Sequence, residues 1–143
     1  MEHVYHIPEQ KEKETFVFYT TLVKHMKVLI ATEKPFAPVA IKGIREVTDA
    51  AGYNLVLLEK YSSKQELLDA VADVDALIVR SDKITCDVLA AAPNLKIVVR
   101  AGAGYDNVDL AAASERGIVV MNTPVYPSGY SRMAVTSSST SIL

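Results

Sequence analysis

The chain has 143 residues, 50% of them hydrophobic, a net charge of −2 and a single cysteine. That length suits one ordinary domain, able to bury roughly 68–70% of the surface its unfolded form exposes. The balanced charge, without a basic block, argues against nucleic-acid or membrane-surface partners; no apolar run approaches the ~20 residues of a bilayer span; and Cys86 has no partner for an internal disulfide, which fits a reducing compartment.

Residues 1–25 mix a charged run (residues 9–14) with a short apolar piece (residues 16–19) and sustain neither helical nor strand period. Two readings are open: an appendage adding a helix or an edge strand, or sequence lying ahead of a native start at Met26, the second being preferred. From Lys27 onward, continuous apolar runs alternate with longer amphipathic segments. Val28-Leu29-Ile30 is the first run, and the helix after it places Ala40, Ile44, Val47 and Ala51 on one stripe before Gly52 stops it. Leu55 to Leu58 form the second run; Ser63 and Glu66 then supply a capping box for a helix with Leu67, Leu68 and Val71 facing inward. Ala76 to Val79 make the third, followed by a helix capped by Thr85, with Val88, Leu89 and Ala92 inside and Pro93 at its end. Ile97-Val98-Val99 and Ile118-Val119-Val120 complete about five strands, and the helix between them is capped by Asp109 and ends at Gly117. Continuous apolar strands joined by crossover helices predict an α/β fold, a doubly wound parallel sheet buried on both faces. Residues 125–143 are rich in Ser and Thr without an apolar period, and are expected to stay disordered or poorly packed.

Arg100-Ala101-Gly102-Ala103-Gly104 directly follows the fourth run. Glycines at a strand end let the backbone turn tightly and present N–H groups to an anion, and Arg100 adds a planar donor fork. This predicts an anion-binding loop at the carboxyl edge of the sheet, where ligands of open α/β sheets bind.

Four segments carry a resemblance to a known family: residues 26–31, the Val79-Arg80-Ser81 element, Arg100-Ala101-Gly102-Ala103-Gly104-Tyr105-Asp106-Asn107-Val108-Asp109, and Asn122-Thr123-Pro124. Over about residues 26–124 the chain resembles the NAD-dependent D-isomer-specific 2-hydroxyacid dehydrogenases, and within them those that oxidise 3-phosphoglycerate to 3-phosphohydroxypyruvate on the route to serine. The resemblance implies a flavodoxin-like substrate domain, here incomplete, whose glycine-loop amides hold the substrate carboxylate. Ala101, Gly102, Ala103 and Gly104 fall in that role. Arg80, Ser81 and Arg100 fall near the substrate phosphate, although either arginine could instead pair with a neighbouring acid such as Asp82 or Asp106. Asn122 to Pro124 would mark the exit toward an interdomain hinge, and Tyr105 is read as a surface packing residue.

Beyond Pro124 the resemblance stops, and no Gly-x-Gly-x-x-Gly unit follows. NAD is thus the cofactor of full-length members, and none is expected to bind this chain. The family's catalytic arginine, glutamate and histidine have no counterpart either, since His3, His6 and His25 all precede the first strand; no catalytic or metal-binding residue is assigned. A truncated or frameshifted substrate-binding part, inactive alone and cytoplasmic, is the expected product. Two alternatives remain: a stand-alone module binding small anions, or an interaction partner of a full-length homologue. A flavin-binding role is disfavoured, because residues 31–35 lack a hydroxyl-rich phosphate loop.

Overall fold

The computed structural model describes residues 25–124 and 134–136. Strands β1 (Lys27–Thr32), β2 (Asn54–Glu59), β3 (Ala76–Val79), β4 (Ile97–Arg100) and β5 (Val119–Asn122) are all parallel. A short β6 (Ala134–Thr136) adds antiparallel to β5. The order β2-β1-β3-β4-β5-β6 contains the flavodoxin-like 2-1-3-4-5 arrangement, so the doubly wound parallel sheet expected from the apolar runs is present. β6 lies within the stretch expected to lack order; the rest of that stretch and residues 1–24 are outside the described residues.

Four helices connect the parallel strands: α1 (Pro38–Ala50), α2 (Lys64–Ala70), α3 (Cys86–Ala90) and α4 (Leu110–Glu115). The chain steps one way from β1 to β2 and the other way from β2 through β5. Right-handed crossovers therefore put α1 on one face and α2, α3 and α4 on the other. The core lies under the three-helix face, where Leu29, Leu77, Val79, Val98 and Val120 of the sheet meet Leu67, Val88, Leu89 and Ala113.

The opposite face is less complete. Successive residues of β3 and β5 alternate between half-buried and buried, so Ile78 and Met121 stay partly open where burial on both faces was expected. Among the described residues α1 is the helix on this side, and it packs beside the edge strand β2.

Local sequence explains most helix boundaries. The Ser63 hydroxyl accepts the Glu66 N–H at 3.3 Å while Glu66 Oε1 accepts the Ser63 N–H at 3.2 Å, which is the expected capping box. Asp109 Oδ1 accepts the Ala112 N–H at 3.0 Å and caps α4. Thr85 stands at the N-cap of α3, but its hydroxyl makes no capping bond. The stripe assigned to α1 also needs correction. Val47 is 71% exposed and Ala51 is exposed, while Thr48 turns inward, its hydroxyl donating to the Ile44 and Arg45 carbonyls at 3.0 Å. Returning its proton to its own helix lets a polar side chain occupy a buried position.

Candidate functional site

Val79 pairs with Arg100, and Arg100 with Asn122, so the carboxyl ends of β3, β4 and β5 stand side by side. The segments leaving them form one rim. At its centre Gly102 has φ +145°, and a Cβ there would collide with Arg100 Nη1. The glycine thus serves two purposes, permitting the turn and leaving room for a guanidinium folded over it.

Not all of the loop's amides are on offer. Ala101 N–H extends the sheet ladder to the Val79 carbonyl at 2.8 Å, and Gly102 N–H donates to Thr123 Oγ1 at 2.8 Å. The expectation of four available donors is corrected to two. Ala103 and Gly104 N–H have no protein partner among the described residues. The loop is clipped from β5: Thr123 N–H donates to the Gly102 carbonyl at 3.0 Å and Asn122 Nδ2 to the Ala103 carbonyl at 2.6 Å. Sequence reasoning gave Asn122 and Thr123 no part in the loop. The signal was the parallel pairing of neighbouring strands, which brings the residues after β5 beside those after β4.

Arg80 and Ser81 lie at the exposed end of β3, next to buried Asp82. The alternative pairings of Arg80 with Asp82 and Arg100 with Asp106 are not made: the ion pairs of the described residues are Lys27–Asp73, Lys42–Glu46 and Lys64–Asp87. The Asp82 carboxylate accepts the Tyr61 O–H at 2.6 Å and the Glu33 N–H at 2.8 Å, with the Arg80 N–H farther off at 3.4 Å. Burial, reinforced by the hydrogen bond to Asp82 and its charge, pushes the Tyr61 phenol well above its ordinary value, so it stays a donor. Tyr105, expected to pack on the surface, is 44% exposed.

Two cavities flank Arg80 and Ser81. A 440 Å³ cleft between the ends of β1 and β3 has Lys34, Tyr61, Ser63 and Arg80 in its wall. A 480 Å³ cleft between the β3 loop and residues 106–109, which follow the glycine loop, is lined by Ser81, Lys83, Thr85, Arg100, Asp106 and Asn107, among others. Three side-chain atoms of the second cleft's lining are buried without a hydrogen-bond partner: Thr85 Oγ1, Arg100 Nε and Asn107 Oδ1. Each unsatisfied buried group costs about 1–3 kcal/mol. Being buried, these three atoms lie behind the surface of the cleft and do not face a ligand within it.

Residues 28–130 match the family model described as D-isomer specific 2-hydroxyacid dehydrogenase, catalytic domain. The chain belongs to that family. The match runs six residues past Pro124, where the resemblance read from sequence ends. Among curated family members, the D-3-phosphoglycerate dehydrogenase of Sus scrofa is 51% identical over 82 residues, 56% of this chain and 15% of that protein. The hydroxypyruvate reductase of Thermotoga maritima is 46% identical over 71 residues, 49% of this chain and 23% of its own length. The NAD+-bound 3-phosphoglycerate dehydrogenase structure from Entamoeba histolytica is similar with a TM-score of 0.69 and 50% identity, covering 71% of this chain and 33% of that one. The chain therefore spans a minor part of each of these proteins.

The family's dinucleotide does not fit the glycine loop described here. The bare side of Gly102 is filled by the Arg100 guanidinium and its N–H is taken by Thr123, which denies a pyrophosphate the close backbone approach it needs. Among the described residues no three His, Cys, Asp or Glu side chains group to hold a metal ion. None of their helices is long and apolar enough to cross a membrane.

Proposed function

We propose that this chain is the substrate-gripping part of a 2-hydroxyacid dehydrogenase and holds its ligand in the 480 Å³ cleft between the loop after β3 and residues 106–109, and against the glycine loop that precedes them. The observation that carries this is the pair of cations Arg100 and Lys83 in the lining of the cleft, neither in an ion pair among the described residues, next to the free amides of the glycine loop. Outside the lining of the cleft but next to it in sequence, the N–H groups of Ala103 and Gly104 suit a carboxylate. Arg100, Lys83 and the Ser81 hydroxyl supply donors for a second anionic group. An arrangement with two donor sets favours 3-phosphoglycerate, which carries both a carboxylate and a phosphate, over hydroxypyruvate, which carries only the carboxylate. The similarity to 3-phosphoglycerate dehydrogenases over half or more of the chain supports the same choice. The two carboxylates lining the cleft are Asp106, which is exposed, and Asp109, which caps α4. The chain binds and orients, and hydride transfer belongs to parts of the family's proteins outside it.

Titration of the chain with 3-phosphoglycerate, followed by calorimetry or amide chemical shifts, checks this. Saturable binding is expected, weakened at least tenfold by Arg100→Ala and stronger than for hydroxypyruvate. Absence of binding at millimolar ligand would overturn it.

A further inference from the structure

The loop after β3 and the loop after β4 are tied together by one side chain. Asn107 Nδ2 donates to the Asp82 carbonyl at 2.8 Å and reaches the Arg80 carbonyl at 3.5 Å. Around it, Ile84 N–H donates to the Asn107 carbonyl at 2.8 Å and Asp109 N–H to the Ile84 carbonyl at 2.9 Å, forming an isolated parallel bridge between Ile84 and Val108. The other side of the β3 loop is held by Tyr61 and Glu33 through the Asp82 carboxylate. The segment carrying Arg80 and Ser81 is thus fixed from both flanks, and Asn107 sets its distance from the glycine loop.

The chemistry of this strut is narrow. Two carbonyl oxygens converge on one nitrogen, so the side chain must be a donor. An aspartate would bring a carboxylate oxygen against them, a serine would fall short, and a glutamine would add a methylene between the loops. The amide oxygen at the other end is buried without a partner among the described residues, so the side chain is oriented by its nitrogen alone.

We propose that Asn107 is a positioning residue that sets the spacing between the cations of the β3 loop and the free amides of Ala103 and Gly104. The cleft and the glycine loop beside it thereby prefer a ligand whose two anionic groups span that spacing to a ligand bearing one. This rests on the substrate reading above, and refines it by assigning the spacing to a residue.

The test compares the unchanged chain with Asn107→Ala and Asn107→Ser against three probes: 3-phosphoglycerate, D-glycerate and inorganic phosphate. Both variants are expected to bind 3-phosphoglycerate at least tenfold more weakly, with clearly smaller losses for D-glycerate and inorganic phosphate. Equal losses for all three probes would show a contact or a general defect, and undiminished 3-phosphoglycerate binding would show no role; either overturns the proposal. Should the unchanged chain bind none of the probes, the substrate reading fails on its own, and amide hydrogen exchange then judges the strut. The Ile84 amide is expected to exchange at least tenfold faster in Asn107→Ala while the Leu77 and Val98 amides keep their protection. Unaltered Ile84 protection would overturn the strut whatever the ligand results.

Discussion

Asp82 is a buried carboxylate that this chain satisfies without a cation, although Arg80 stands two residues away. Tyr61 supplies a neutral donor at 2.6 Å, which leaves the Arg80 guanidinium unpaired and available to a ligand. Tyr61→Phe removes that donor while keeping the ring. Because the acceptor is charged and buried, the loss is expected to cost about 1.5–3 kcal/mol of stability, measured by urea unfolding at neutral pH. The pH dependence adds a second signature. The folded phenol ionises above the ordinary tyrosine value, so its contribution is fully present below about pH 10 and is lost as pH rises toward the folded value. Stability of the unchanged chain is expected to fall over that alkaline window, and the Tyr61→Phe difference to shrink with it; a difference constant with pH would mean the phenol's proton is not what Asp82 uses. None of this was legible in sequence, because Tyr61 and Asp82 come from different strand ends and meet only once β2, β1 and β3 are ordered. The glycine loop was half legible for the same reason. Gly102 and Gly104 announce a turn, but which amides remain free depends on Thr123, 21 residues later.

Helix boundaries were more legible than helix faces. Caps are local, so Ser63 with Glu66 and Asp109 with Ala112 could be read from neighbouring residues. The inward stripe of α1 depends on which neighbour it packs against, and Thr48, by bonding back to Ile44 and Arg45, took the place that the hydrophobic pattern assigned to Val47. α2 offers a direct test of the legible part. Ser63→Ala removes the hydroxyl that caps α2 and is expected to cost about 1 kcal/mol, measured by thermal or urea unfolding. The Glu66 half of the box behaves differently. The Ser62 N–H, followed by the Ser63 hydroxyl, holds the Glu66 carboxyl below its ordinary value, so its stabilising part is present above the usual glutamate range and lost as pH falls through the folded value. Glu66→Gln is expected to flatten the acid limb of the stability curve, and an unchanged acid limb would remove Glu66 from the account.

Across the whole molecule the two faces of the sheet are unequal. Alternation along β3 makes this measurable within a pair of adjacent residues: Leu77 is fully buried beneath the three helices, while Ile78 points to the face that α1 covers in part. Truncating Leu77 leaves a closed cavity that the surrounding core cannot fill, and costs of this kind run at about 2–5 kcal/mol. Truncating Ile78 forfeits transfer energy on an already partly hydrated surface, and water can enter the space left behind, so the cavity part of the cost drops out. Leu77→Ala is therefore expected to destabilise the chain by at least ~1 kcal/mol more than Ile78→Ala, although the side chains removed are of equal size. Urea unfolding of the two variants decides it. Equal losses would mean that the α1 face is as closed as the core beneath α2, α3 and α4, and the strands would then be buried on both sides, as their uninterrupted apolar runs suggest.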